Sequence, residues 1–540
     1  MPDHKTTTVD DVLEERLPGV WALAPELATH AGVDGHDHLL PDPSRSALEG
    51  RLEYCQHFAE ALDEAEPQSL REAHDILAFK ARLEAWRYAS EDINAWKRNP
   101  DPLSDLGTLL FHTVANPCTA PEPRFAALAA RCRGIPAFLK GYRARLDKPD
   151  RLWVELAAQV ARAIPALLEN LPQAAIDAGV EAETVNSVAE AAREAHEATE
   201  DHLRWLEALT DAETVADSWL LSDEQYAGLL ERKGLGLDVD EVEAIGWEQL
   251  EIRSAQRDRH HRPNSTPPAD FATALALVRD IARRSRTFVV EEGLATLPEG
   301  EELAIEPTPA FLRPIIPFAA LMASGRYAQT QRSVYLVSEP AQGDFSDFRP
   351  ERITGVAVHE GYPGHHLQLA AAHRLCSPLR SLQLGSMPRE GAGALGVDLV
   401  EGWAHYCEEL MLDRGFGDSD EARWCLRNDQ VWRAVRIILD VRLSRGQTSP
   451  QEAVDMLVLH TGMAPAAAAA EVNRYTRYPG YQLCYLIGKL KLEQLKADLE
   501  LAWKDSWSLR RFHHLVFSAG RVPVDMLRRF ESEQRAENRP

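Results

Sequence analysis

The residues from Val358 to Gln368 read V-H-E-G-Y-P-G-H-H-L-Q. A His-Glu pair followed by two further histidines is the donor set of a zinc site in which the glutamate, here Glu360, activates water. In the usual H-E-x-x-H arrangement the histidines stand at i and i+4, one turn apart on one helical face. Here His359 reaches His365 only at i+6, which a regular helix turns about 120° away, and His366 at i+7 returns to the face about 10 Å further along the axis. Neither closes a chelate on an unbroken helix. Pro363 denies the His359 carbonyl its i+4 donor and Gly364 accepts unusual dihedrals, so the expectation is a bulge or break that brings His365 to where i+4 would have been. His366 is the alternative ligand. The spacing alone decides little, because H-E-x-x-x-x-H recurs from His196 to His202 without a breaker, and those histidines are expected to be solvated.

A third ligand has to come from elsewhere. On the stretch from Val397, D-L-V-E-G-W-A-H-Y-C-E-E-L-M-L, Glu401, His405 and Glu408 fall at i, i+4 and i+7 of one helical face, with Val400, Trp403, Ala404, Cys407 and Met411 as apolar cover. Glu401 would complete a two-histidine, one-carboxylate site with a fourth position left for water. Asp398, His405 and Glu408 are candidates to steady the ligands. Farther on, Tyr475, Tyr478, Tyr481 and Tyr485 place four of the twelve tyrosines close together, beside Arg474 and Arg477. Phenols suit a polarised carbonyl oxygen and guanidinium groups a substrate carboxylate, which favours short peptides and carboxypeptidase-like cleavage.

The elements that must position these groups are mostly helical. From Leu48 to about Leu220 apolar residues recur at helical intervals, as in Leu152, Leu156, Val160, Ala163, Ile164, Leu167 and Leu171. S-D-E-Q-Y-A-G-L-L from Ser222 carries a capping serine before acidic residues. Between Thr287 and Pro340 the segments F-V-V, L-A-I-E-P-T-P, R-P-I-I-P and S-V-Y-L-V suggest two or three short strands. The division that follows is an arm over 1–45 with one short helix, a helical lobe over 46–285, a small β-containing segment over 286–345 and a helical zinc-site lobe over 346–540. A net charge of −25 without a basic block argues against nucleic acid or an anionic membrane as partner. The amino terminus lacks a signal-like apolar core and seven scattered cysteines read as reduced thiols, so a cytoplasmic protein is expected.

Taken together, H-E-x-x-P-G-H-H at His359–His366, E-G-W-A-x-Y-x-E at Glu401–Glu408 and R-Y-x-x-x-P-G-x-x-x-x-Y-x-x-G at Arg474–Gly488 resemble the bacterial domain-of-unknown-function family 885. S-D-E-Q-Y-A-G-L-L, the segment from Arg433 and F-H-H-L-V-F-S-A-G-R-V-P extend the similarity, which is good over about 215–540 and weak before it. That family looks like a relative of the helical glutamate-zincin peptidases, of the thimet-oligopeptidase and angiotensin-converting-enzyme kind. The resemblance implies a mainly α, two-lobed fold with a deep central cleft, one zinc ion on His359, His365 and Glu401, Glu360 as general base and Tyr485 or Tyr478 as oxyanion donor. Tyr475, Tyr481, Arg474 and Arg477 would line the substrate site. Where the family commonly has a histidine after D-x-G-x, this chain has D-V-R-L-S at Asp440–Ser444. Two rivals share these residues: a zinc hydrolase of a non-peptide amide or ester, and a helical binding protein whose motif holds no metal.

Overall fold

Side chains that cap helices set the starts. Thr8 with Asp11, Ser222 with Gln225, Asp238 with Glu241 and Ser449 with Glu452 each form a reciprocal capping box, satisfying backbone donors that a helix end leaves free. In the computed structural model, residues 7–116, 119–210, 215–216, 219–309, 313, 316, 318–340, 343–384 and 395–537 are described. The protein is mainly helical, with one small sheet. The stripe beginning at Leu152 lies on the helix Arg151–Asp177, where Leu156, Ile164, Leu167 and Leu171 are buried and Leu152 and Val160 stand at the edge. This helix packs on Ala182–Thr210.

The sheet has three strands in the order β1-β3-β2, with β1 Glu301–Pro307, β2 Ala319–Met322 and β3 Gln331–Val337. β1 runs parallel and β2 antiparallel to β3, and both Ile305 and Leu321 lie opposite Tyr335 in the middle of β3. One hydrophobic core joins this sheet to the helices that carry the candidate ligands: Tyr335, Ile353, Ala357, Leu399, Trp403 and Phe517 are buried in it.

Several local expectations are corrected. F-V-V at 288–290 is no strand but the end of the helix Phe271–Glu291, because the buried series Ala274, Val278, Ile281, Ser285, Val289 keeps a helical period through it. R-P-I-I-P lies largely outside the described residues, and the antiparallel strand is supplied instead by Ala319–Met322. The amino-terminal stretch forms two helices, Val9–Leu23 and Pro25–Ala31, whose Val12, Val20, Trp21 and Leu27 pack with Phe58 and Phe79. His202 is fully buried and accepts a hydrogen bond at Nδ1 from Arg143, whereas His196 stays partly exposed.

Candidate metal and catalytic site

The helix that begins at Pro350 ends at Glu360, and a new helix begins at His365. Between them the hydrogen bonding changes step. The Gly364 N–H donates to the Val358 carbonyl and the Leu367 N–H to the Gly361 carbonyl, both across six residues instead of four. Pro363 has no N–H to give the His359 carbonyl, and its own carbonyl accepts from the indole Nε1 of Trp403 at 2.9 Å. Gly364 sits hard against the preceding turn, so only a residue without Cβ fits.

This break brings His365 beside His359, ring centroids 4.6 Å apart. Glu401 comes from the helix Val397–Asp413, and its Oε2 lies 3.5 Å from Nε2 of both histidines. One ligand atom from each of His359, His365 and Glu401 lies within 4.8 Å of the other two. Tetrahedral zinc with ligands at about 2.0–2.1 Å sets them about 3.3 Å apart, so the three groups suit that ion in donor type and spread. His366 is turned elsewhere. It is fully buried, and its Nε2 meets Oε2 of Glu301 on β1 at 2.8 Å, where the Tyr362 hydroxyl also donates.

Carboxylates orient the histidines. His359 donates through Nδ1 to Glu408 Oε1 at 2.6 Å, which leaves Nε2 to face Glu401 and His365, and His405 meets the other Glu408 oxygen at 3.1 Å. Burial alone would lower the His359 imidazole and raise both glutamates. Hydrogen bonds with Glu401 and Glu408 instead hold His359 up at about 10, while His359 and His365 hold the Glu401 carboxyl, and His405 and then His359 the Glu408 carboxyl, well below the usual range. The cluster thus carries a strong local demand for positive charge.

Other expected residues are placed differently. Asp398 is fully buried and pairs with Lys233 at 3.0 Å instead of with a ligand. Arg477 is committed to the buried Asp101 at 2.9 Å, and the Tyr475 hydroxyl accepts from Arg436 and Trp432 inside the core. Arg474 shares Glu471 with Arg436. Tyr481 donates to Glu401 Oε1 at 3.0 Å. Its ring stands 6.1 Å from that of Tyr485 and 6.5 Å from that of Tyr478. The turn bearing Tyr481 is pinned by Asp440, which accepts from the N–H groups of Gly480 and Gln482 and from the Tyr226 hydroxyl. Tyr226 belongs to the S-D-E-Q-Y-A-G-L-L segment, which gives that segment a part in building the site.

Two residues escaped the sequence reading. Tyr335 is fully buried on β3, and among the described residues its hydroxyl has no hydrogen-bond partner. Burial first, and then the charge of Glu360, raises its phenol well above the ordinary value, so the two groups share one environment. Glu301 is the partner of His366 and Tyr362. No local pattern marks either, since each acts on a residue far along the chain.

The model of a family described as bacterial protein of unknown function (DUF885) matches residues 25–530. The chain belongs to the DUF885 family. The match reaches well into the amino-terminal half, where the motifs gave only weak similarity. Among solved structures, the chain resembles a putative lipoprotein from Colwellia psychrerythraea, with a TM-score of 0.78 at 16% identity over 98% of this chain and 100% of the other. It also resembles a putative lipoprotein of unknown function from Shewanella oneidensis, with a TM-score of 0.71 at 18% identity and the same coverage. A carboxypeptidase from Pyrococcus furiosus in its apo-Mg form gives a TM-score of 0.39 at 13% identity, over 96% of this chain and 91% of that one, too low to carry an argument. No curated protein matches the chain.

The lipoprotein relatives overturn the cytoplasmic expectation. Dispersed thiols and a polar first segment do not fix a compartment: among the described residues six cysteines are free and five of these are buried, where packing accounts for them in any compartment. No helix among the described residues is long and apolar enough to cross a membrane.

Proposed function

We propose that this DUF885 protein is a zinc-dependent hydrolase of short peptides. The observation that carries the reading is the convergence of His359, His365 and Glu401 across a helix break, with Glu360 next in sequence to a ligand. A zinc ion held by these three residues would supply a Lewis acid and a water of lowered pKa. Glu360 takes the proton of the attacking water and returns it to the leaving amine, at the end of its helix and within the field of Tyr335. Tyr481 has its one O–H on Glu401, and Tyr485, whose ring lies beside that of Tyr481, would donate to the oxyanion as the carbonyl carbon becomes tetrahedral. Glu408 keeps the Nε2 lone pair of His359 aimed at the metal position.

Elemental analysis of the wild type and of His359→Ala tests the metal, and turnover of a mixed peptide library by the wild type and Glu360→Gln tests the base. The expected result is one zinc per wild-type chain, none in His359→Ala, and metal retained with turnover lost in Glu360→Gln. A wild type without stoichiometric metal sinks the reading.

A further inference from the structure

The A-G-R-V-P turn that follows the helix Leu509–Ala519 is a family motif with no part in the chemistry above. It is built to hold Arg521 in place by its main chain. The Arg521 N–H donates to the Arg380 carbonyl at 3.2 Å, and its own carbonyl accepts from the buried guanidinium of Arg82 at 2.5 Å. Gly520 on one side has a φ of +72°, and Val522 on the other is fully buried. Gly396, with a φ of +83°, lies so close that a Cβ there would stand 2.5 Å from the Arg521 carbonyl carbon. Gly396 caps the helix that carries Glu401 five residues on, an axial rise of about 7.5 Å. The turn is therefore registered directly to the ligand helix.

The side chain seated this way has nothing to hold. Arg521 donates no side-chain hydrogen bond and makes no ion pair with any described residue. Two buried arginines of the chain are matched to carboxylates, Arg380 to Glu533 and Arg436 to Glu471, and Arg82 and Arg131 give their guanidinium protons to carbonyl and hydroxyl oxygens, whereas Arg521 has neither kind of acceptor among the described residues. With 84 acidic against 59 basic residues, carboxylates are not scarce, so a half-buried guanidinium seated by its main chain and unmatched among the described residues is a selective feature. Arg326, on the loop before β3, likewise makes no ion pair with a described carboxylate, and its guanidinium donates to Cys376 Sγ at 3.8 Å. The surroundings register the surplus. Burial, then Arg521 and Arg326, drive His373 down to about 3, and burial, then Arg131, with Arg521 adding to it, bring His30 to about 4. Burial lowers Arg521 itself, and the group that most opposes this is Tyr481, the residue hydrogen-bonded to Glu401. Arg521 keeps partial solvent access, as a receptor must.

A guanidinium taken from water without a counter-ion is costly, and a planar carboxylate is the group its fork of donors fits. We propose that Arg521 is the receptor for a carboxylate of the substrate, a reading that deepens the peptidase assignment and rests on it. The carboxylate is either the free carboxyl terminus of a peptide or an acidic side chain.

The test is calorimetric binding to the protein as purified, with its metal content measured on the same samples. The probes are N-acetyl-dialanine, its carboxamide, and N-acetyl-glutamic acid α-amide. The expected result is that wild type binds one carboxylate probe roughly 10- to 100-fold more tightly than the carboxamide. Arg521→Met abolishes the preference and Arg521→Lys retains part of it. Preference for acetyl-dialanine assigns the site to a free terminus, and preference for the glutamate amide to an acidic side chain. Because the contacts that seat residue 521 are main-chain, both variants should melt with the wild type, and thermal scans check this. Wild type that treats all three probes alike overturns the proposal, as does Arg521→Met that keeps the preference. A carboxylate preference without metal or turnover would leave Arg521 assigned and remove the peptidase reading, so the two failures are distinct.

Discussion

Replacing Gly364 with alanine probes the helix break on which the metal site depends. A methyl group at residue 364 would come within 2.6 Å of the His359 carbonyl carbon and closer still to the oxygens of Val358 and His359. These are backbone atoms of the ligand-bearing turn, so no side chain can swing aside. Restoring ordinary contact at about 3.5 Å requires a displacement of about 1–1.5 Å between the two helix ends. Zinc–ligand distances tolerate about 0.2 Å, so His359 and His365 cannot both keep their places. The expected outcome for Gly364→Ala is at least a 100-fold loss of zinc affinity, read by chelator competition. Overpacking should also cost about 1–3 kcal/mol of stability, read by denaturant melts. Gly355 is the control, since it lies in the same helix with nothing within 4 Å of a Cβ. Gly355→Ala should keep its zinc and gain about 0.5–1 kcal/mol. Full zinc affinity in Gly364→Ala would refute the account of the break.

Three further outcomes follow from other contacts. Glu408→Ala removes the acceptor that fixes His359 Nδ1 and should weaken zinc binding about 10- to 100-fold while leaving the fold intact by circular dichroism. Gly488→Ala places a Cβ within 2.9 Å of the Asp398 carbonyl carbon, where the helices Val397–Asp413 and Cys484–Trp503 cross closely at Gly402 and Gly488, and should cost about 1–3 kcal/mol, whereas Gly50→Ala on an open helix face should not. Burial would raise the Glu471 carboxyl, but Arg436 and Arg474 bring it down to about 2. A depressed carboxyl stabilises the fold fully above its unfolded pKa of about 4.3, and that stability is lost as pH falls through 4 toward 2. Glu471→Gln should therefore be less stable than wild type by about 2 kcal/mol at pH 6, with the gap about halved at pH 3 and closing toward pH 2 in urea melts; a gap that stays constant with pH would count against the ion pair.

Much of the site was legible because its parts are periodic or carry breakers. Glu401, His405 and Glu408 share a helical face in the sequence and in the structure, and Pro363-Gly364 announced a break that the hydrogen bonds then take across six residues. What could not be read were pairings between distant elements. Asp398 stood on the right helix, yet its partner is Lys233, 165 residues earlier. His366 stood as the alternative to His365, and only Glu301, on a parallel strand, gives it another partner. Arg474 and Arg477 have the chemistry of a carboxylate receptor but are occupied by Glu471 and Asp101. Arg521 is the opposite case, since the proposal for it starts from ion pairs it does not make among the described residues.

The bonds from Gly364 to Val358 and from Leu367 to Gly361 also bear on how such a motif arises. They close the extra length locally, so that the helix from His365 resumes as though two residues had never been added. An insertion of this kind is closed within its own turn, and a lineage could gain or lose it while keeping the same pair of histidines. Kinship between this motif and the shorter H-E-x-x-H would then be written in the hydrogen-bond ladder and hidden in any alignment that counts residues.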